Sequence, residues 1–142
     1  MGDLLARPAR LNGIEVGGEE IPSMIDELPV LAVLAARAEG ETVVRGAEEL
    51  RAKESDRITV VVDNLRAIGV DAEELPDGFV VRGTDRPLAG RVRTHHDHRI
   101  AMAFGVLGAL PGADLEIEAP DVVDVSFPGF WETLRTLGGR GA

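Results

Sequence analysis

An α/β fold assembled from repeated βαβαββ units with buried helices is predicted by three features of the sequence. Segments with strand character alternate with segments with helix character along most of the chain. Two of the helical segments are apolar almost all round, as helices enclosed on most sides are. The plan also recurs: Asp26 and Glu54 lie 28 residues apart, and Asp97 and Phe127, at matching places further on, lie 30 apart.

Arg10–Val16 has strand character and ends at Gly17-Gly18. Ser23-Met-Ile-Asp26 resembles a capping arrangement, and Pro29 falls early enough to be tolerated near a helix N-terminus. The helix then predicted from Asp26 to about Ala38 is apolar throughout its interior (Leu28, Val30 to Ala36) and is stopped by Gly40. Thr42–Arg45 is a short strand. Lys53–Ile68 is a helix with one apolar stripe, Ile58, Val61, Val62, Leu65 and Ile68, ended by Gly69. Asp71–Leu75 and Phe79–Arg82 are two strands joined by the turn sequence Pro76-Asp77-Gly78. Residues 10–85 are thus one βαβαββ unit. A second, incomplete unit occupies residues 88–142: a strand at Gly90–Thr94, a mostly apolar helix at Asp97–Leu110, a strand at Asp114–Glu118 and an amphipathic helix at Phe127–Leu137. Two enclosed helices in so short a chain call for more neighbours than one and a half units supply; by pattern alone, a small, complete α/β sandwich is the alternative.

Charge and composition narrow the function. The formal net charge of −10 argues against nucleic acid as a partner, so an anionic ligand would need a local cluster of cations. The absence of cysteine removes disulfides, zinc-thiolate sites and cysteine nucleophiles. No run is apolar for long enough to span a membrane, and a soluble cytoplasmic protein is expected. Lys53 is the single lysine among fifteen basic residues, which directs attention to its neighbourhood.

That neighbourhood is Lys53-Glu54-Ser55-Asp56-Arg57. Spaced i, i+4 on the predicted helix, Lys53 and Arg57 share a face. Cations at a helix start oppose the helix dipole but suit an anion held there by free N–H groups. The ordinary alternative, that Glu54 and Asp56 neutralise them in surface pairs, remains open. The second cluster is Thr94-His95-His96-Asp97-His98-Arg99. Near-consecutive histidines point in different directions, so His95, His96 and His98 are not expected to share a metal ion. Asp97 lies near an N-cap, with His98 and Arg99 in the first turn of an enclosed helix. Asp26-Glu27 opens the other enclosed helix; Asp26 is either an ordinary cap or, beside bound anions, a general base towards a hydroxyl. Phe127, Phe130, Trp131 and Leu134 read as core.

Four stretches together, Glu20-Ile-Pro-Ser-Met-Ile-Asp-Glu-Leu-Pro29, Leu50-Arg-Ala-Lys-Glu-Ser-Asp-Arg-Ile58, Asp97-His-Arg-Ile-Ala-Met-Ala103 and Val125-Ser-Phe-Pro128, resemble 5-enolpyruvylshikimate-3-phosphate synthases in order and spacing over essentially the whole chain. The resemblance implies an inside-out α/β barrel of two domains, each of three βαβαββ units. Parallel buried helices there aim their N-termini at the cleft between the domains. It places this chain in part of the C-terminal domain. The implied reaction moves the enolpyruvyl group of phosphoenolpyruvate to the 5-hydroxyl of shikimate 3-phosphate, in the shikimate pathway towards chorismate and the aromatic amino acids, without metal or organic cofactor. Glyphosate is the family's inhibitor.

By the same resemblance Asp26 is a candidate base that contacts shikimate 3-phosphate, and Lys53 binds that substrate as well. Glu54 transfers a proton at the phosphoenolpyruvate methylene, Arg57 and Arg99 grip phosphoenolpyruvate, and His98 adjoins the site. Glu49 and Val125 stand where some members have asparagine and lysine. Members are much longer, so the partner implied is a missing N-terminal domain, and this chain alone is expected to be inactive. Two alternatives stand beside this one: a fragment of the related transferase acting on UDP-N-acetylglucosamine, or a non-catalytic domain that self-associates through uncovered apolar faces.

Overall fold

A computed structural model describes residues 2–138. Apolar stripes and turn residues divide the chain into two sheets that share one hydrophobic core. Strands β1 (Glu15–Val16), β2 (Glu41–Val44), β3 (Asp71–Leu75) and β4 (Gly78–Arg82) form a sheet in the order β1-β2-β4-β3. The β1–β2 pair is parallel and the other pairs are antiparallel. Strands β5 (Ala89–Val92) and β6 (Asp114–Ile117) form a separate parallel pair. The helices are a short α1 (Ile21–Met24), α2 (Leu28–Ala35), α3 (Arg57–Ala67), α4 (His98–Gly108) and α5 (Phe130–Leu137). In chain order the main elements run β–α–β–α–β–β and then β–α–β–α, which is a mixed α/β fold.

The local reasons are those of ordinary capping and turn chemistry. Pro29 lies in the first turn of α2, where its missing N–H costs nothing. Past the end of that helix, Gly40 takes φ +86°, a left-handed backbone that favours glycine. The β3–β4 turn is locked by Asp77, whose carboxylate accepts from the Gly46 N–H at 2.9 Å and whose carbonyl accepts from the Ala47 N–H at 2.7 Å. At Gly78 an added Cβ would lie 1.8 Å from the Val44 carbonyl oxygen, so the turn can close on β2 only without a side chain. Asp56 caps α3 by accepting from the Thr59 N–H at 3.2 Å, and Asp97 caps α4 by accepting from the Arg99 N–H at 3.0 Å.

Several expectations need correction. Regular pairing in the Arg10–Val16 strand is confined to Glu15–Val16, with one isolated bridge from Asn12 to Glu39. Ser23 does not cap a helix; inside α1 its hydroxyl donates back to the Glu20 carbonyl at 2.7 Å. Lys53 is not in the first turn of α3. It follows a 3₁₀ turn at Glu48–Ala52, and the better cap, Asp56, starts the helix at Arg57, so Lys53 and Arg57 do not share a helix face. The final helix begins at Phe130 rather than Phe127, after a 3₁₀ turn at Pro120–Val125. Phe127 therefore stays exposed rather than in the core, while Phe130 is buried with Ala101 and Val123.

The main core joins both sheets: Leu28, Ala32 and Val33 of α2, Ile58, Val61 and Leu65 of α3, Val44, Phe79 and Val81 of the large sheet, Val92 of β5, and Ile100, Phe104 and Leu107 of α4. At its edge lies a buried ion pair between Arg57 and Asp97, both 0% exposed. Burial disfavours charge on either group, but the hydrogen bonds and attraction between them outweigh it. Asp97 is thereby held below the usual carboxylate range and Arg57 above its ordinary value. The enclosure of α2 and α4 is incomplete, however. Val30 and Leu34 on α2, and Val106 and Leu110 on and just past α4, are 41–48% exposed, and Leu34, Val106 and Leu110 line a groove of about 940 Å³.

Two outcomes follow from this packing. Leu65→Ala, which empties a fully buried site, should lower the unfolding free energy by about 2–5 kcal/mol. Leu34→Ala, on the uncovered flank, should change it by less than about 1 kcal/mol in this chain, both read by urea unfolding. The Asp97 pair sets an acid limb. Because the folded carboxyl titrates below the unfolded value of about 3.9, its stabilisation is full above that pH and is lost as pH falls through the folded value. Unfolding free energy should therefore drop steeply below about pH 4, and the drop should be shallower in Asp97→Asn, though not absent, because Asp56 is also held low by the Thr59 N–H and Arg51. Identical acid limbs in the two proteins would contradict this assignment.

Candidate functional site

Three helix N-termini meet at one place. Asp26 sits in the 3₁₀ turn Ile25–Glu27 that leads into α2, Arg57 is the first residue of α3, and Arg99 is the second of α4. The Asp26 carboxylate bridges them: Oδ1 is 3.0 Å from Arg57 Nη1 and 3.9 Å from Lys53 Nζ, and Oδ2 is 3.5 Å from Arg99 Nη2. Since α2 and α4 also pack side by side, their shared start makes them parallel. Lys53 and Arg57 thus reach the same carboxylate from different elements.

Arg57 is the hub. Its Nε donates to Asp97 Oδ2 at 2.8 Å, Nη1 to Asp26 Oδ1 at 3.0 Å, and Nη2 to both Glu54 Oε2 at 2.6 Å and Asp97 Oδ1 at 3.3 Å. Four of the five guanidinium donors are therefore engaged by carboxylates. Asp97 accepts in addition from Ser55 Oγ at 2.9 Å and from the Arg99 N–H, so its two oxygens are fully used. Around this buried centre stand partly exposed groups. Asp26, Glu54 and Arg99 have side chains 39%, 49% and 37% exposed. Lys53 donates to Glu49 Oε1 at 2.9 Å, a bond that raises its pKa above the usual lysine value.

Chemically, this is a patch where cations and carboxylates compete for one another at the positive ends of three helices. Arg99 has the least committed donors: its one ion pair among the described residues is the 3.5 Å approach to Asp26. Asp26 and Glu54 are partly exposed carboxylates of the cluster, whereas Asp97 is sealed. His98 is half-buried at the start of α4, while His95 and His96 are exposed in the preceding turn. No group of three histidine or carboxylate side chains among the described residues is arranged to hold a metal ion.

The structure thus brings Asp26, Lys53, Glu54, Arg57 and Arg99 into one cluster and adds Glu49 at its rim. Val125 does not join any of these contacts; it is 80% exposed at the end of its 3₁₀ turn. Two members of the cluster were not singled out by sequence reasoning. Asp97 was read as a cap only, and Ser55 not at all. A signal existed: Arg57, Val61 and Leu65 follow one another at helical spacing, so Arg57 belongs to the buried stripe, and a buried guanidinium requires a buried acid.

Known proteins give this cluster a context. The model of the EPSP synthase (3-phosphoshikimate 1-carboxyvinyltransferase) family matches residues 3–134. The 3-phosphoshikimate 1-carboxyvinyltransferase of Aquifex aeolicus is 50% identical over 135 residues, covering 94% of this chain and 31% of its own length. That of Persephonella marina is 49% identical over 127 residues, covering 89% and 29%. The EPSP synthase of Acinetobacter baumannii superposes with a TM-score of 0.83 at 40% identity, over 93% of this chain and 31% of that one. The chain spans about a third of the length of the relatives it matches. On the extent of the family match, this chain belongs to the EPSP synthase family.

Proposed function

We propose that the chain supplies one wall of the active site of a 3-phosphoshikimate 1-carboxyvinyltransferase, as part of its C-terminal domain, with residues 10–85 and 88–142 as one complete and one incomplete βαβαββ unit. The longer enzyme would transfer the enolpyruvyl group of phosphoenolpyruvate to the 5-hydroxyl of shikimate 3-phosphate in the cytoplasm, with an N-terminal domain as the opposite wall. The observation that carries this reading is the meeting of Lys53, Arg57 and Arg99 at the carboxylate of Asp26. Both substrates are polyanions, and a patch built from helix N-termini and cations is the kind of surface that holds phosphate and carboxylate groups.

Each residue then has a task. Arg99 clamps phosphoenolpyruvate, and Arg57, whose guanidinium is buried, supplies a fixed positive field behind it. Lys53 and Asp26 contact shikimate 3-phosphate. Asp26 takes the 5-hydroxyl proton as the hydroxyl oxygen of shikimate 3-phosphate bonds to C2 of phosphoenolpyruvate, and Glu54 gives a proton to C3, yielding a tetrahedral adduct. Glu54, now a carboxylate, takes a proton back from C3 as the C2–O bond to phosphate breaks, which restores the double bond in the product and releases phosphate. His98 adjoins the site without a step of its own. The names of the relatives favour this transferase over the one acting on UDP-N-acetylglucosamine.

The uncovered flank of α2 and α4 supports one further reading of the isolated chain, self-association through Val30, Leu34, Val106 and Leu110, which size-exclusion chromatography would detect.

Holding two reactants in attack geometry supplies up to about 7–11 kcal/mol, and one wall cannot close on them. The chain alone should release phosphate from the two substrates at the blank rate. Exchanged for the matching segment of the Aquifex aeolicus relative, it should give an active enzyme, and Arg99→Ala in that chimera should lower kcat/KM by roughly 10²-fold or more. A folded but inactive chimera, or turnover by the isolated chain that Arg99→Ala abolishes, would overturn the proposal.

A further inference from the structure

Helix α3 presents two buried polar side chains to the segment that joins β5 to α4. Arg57 and Asn64 are seven residues apart, close to two helical turns, so they fall on one face; they are 0% and 3% exposed. Arg57 grips the far end of the segment through Asp97. Asn64 grips the near end. Its Nδ2 donates to the Arg93 carbonyl and its Oδ1 accepts from the Arg93 N–H, both at 2.8 Å. A single carboxamide thus replaces the two hydrogen bonds a neighbouring strand would offer the residue just past the end of β5.

The three residues between these grips, Thr94, His95 and His96, need such restraint. His95 and His96 take φ of +49° and +58°, a left-handed backbone that residues with side chains seldom adopt twice in succession. Such conformations persist where the surroundings over-determine them. The Asp97 N–H donates to the Thr94 carbonyl at 2.9 Å, which closes the turn, and two residues later comes Arg99. Nothing in the substrate chemistry assigned above uses Asn64, yet it is nearly sealed from solvent and both its polar atoms are spent on this segment.

We propose that Asn64 is a positioning residue: with Arg57 it forms a two-point clamp that fixes the Thr94–Asp97 turn and so sets where Arg99 points. Its effect on ligand binding rests on the anion-binding reading above; its effect on the turn does not. The test is site-resolved amide hydrogen exchange on the 142-residue chain, comparing wild type, Asn64→Leu, Asn64→Asp and the neighbouring core variant Leu65→Ala.

Asn64→Leu should speed exchange at the Asp97 and Arg99 amides by roughly tenfold or more beyond any change in global unfolding, since two buried hydrogen bonds are lost. Asn64→Asp keeps an acceptor for the Arg93 N–H and should fall between, and it serves alone if the leucine variant does not fold. Leu65→Ala should lower global stability without this local signature. In parallel, titration with inorganic phosphate followed at the Arg99 Nε–H resonance should show weaker binding in both Asn64 variants, but not in Leu65→Ala at matched folded fraction. If Asp97 and Arg99 exchange no faster in the Asn64 variants than global unfolding accounts for, the clamp is refuted. If the wild-type Arg99 resonance ignores phosphate, the anion-binding reading fails, and the exchange arm still decides the clamp.

Discussion

The buried contact between Arg57 and Asp97 is the constraint on which the rest of the arrangement depends. A guanidinium removed from water is costly unless its donors are met, and here carboxylates meet four of them. Asp97 joins the start of α4 to the start of α3, and Asp26 brings in the lead to α2. One guanidinium therefore holds three helices with their positive ends at one point. Surface pairs such as Arg91 with Glu116, 3.9 Å apart and largely exposed, add at most a few tenths of a kcal/mol and fix nothing of this kind.

The same contact shapes the chemistry. Lys53, Arg57 and Arg99 bring three positive charges to the cluster, and Glu49, Asp26, Glu54 and Asp97 bring four negative ones. The cations of the cluster are thus met by the protein's own carboxylates. Asp97 is sealed, whereas Asp26 and Glu54 are partly exposed. On the proposed function, that division separates the group that builds the site from the groups that act in it.

Much of the fold was legible because it follows from local chemistry. Gly40, Asp97 and Pro76-Asp77-Gly78 mark ends and turns whatever surrounds them, and the strands and helices fall within a few residues of where these signals place them. The errors came at helix starts. The apolar stripe that predicts α3 does not mark its first residue, and Lys53 falls outside it because Asp56 caps the helix and starts it at Arg57. Phe127 was assigned to the core on aromaticity, but it precedes Gly129, whose left-handed backbone at φ +80° turns the chain into α5. For the cluster, the cations and Asp26 were visible in the pattern, while Asp97 and Asn64 acquire their partners across 40 and 29 residues of sequence. Periodicity on a single helix cannot reveal such partners. The uncovered apolar flank of α2 and α4 was foreshadowed by two helices too apolar for the number of neighbours present.

The central claim, that Arg57 and Asp97 act as one unit and organise the helix ends, is tested most directly by a double-mutant cycle. Unfolding free energies would be measured for wild type, Arg57→Met, Asp97→Leu and the double variant. Each single change leaves a buried charge without its partner and should cost about 3–5 kcal/mol, whereas the double variant, with neither charge, should cost far less than their sum. Single costs that add to the double cost within about 0.5 kcal/mol would mean that the two residues do not stabilise one another, and the account would be contradicted at its root.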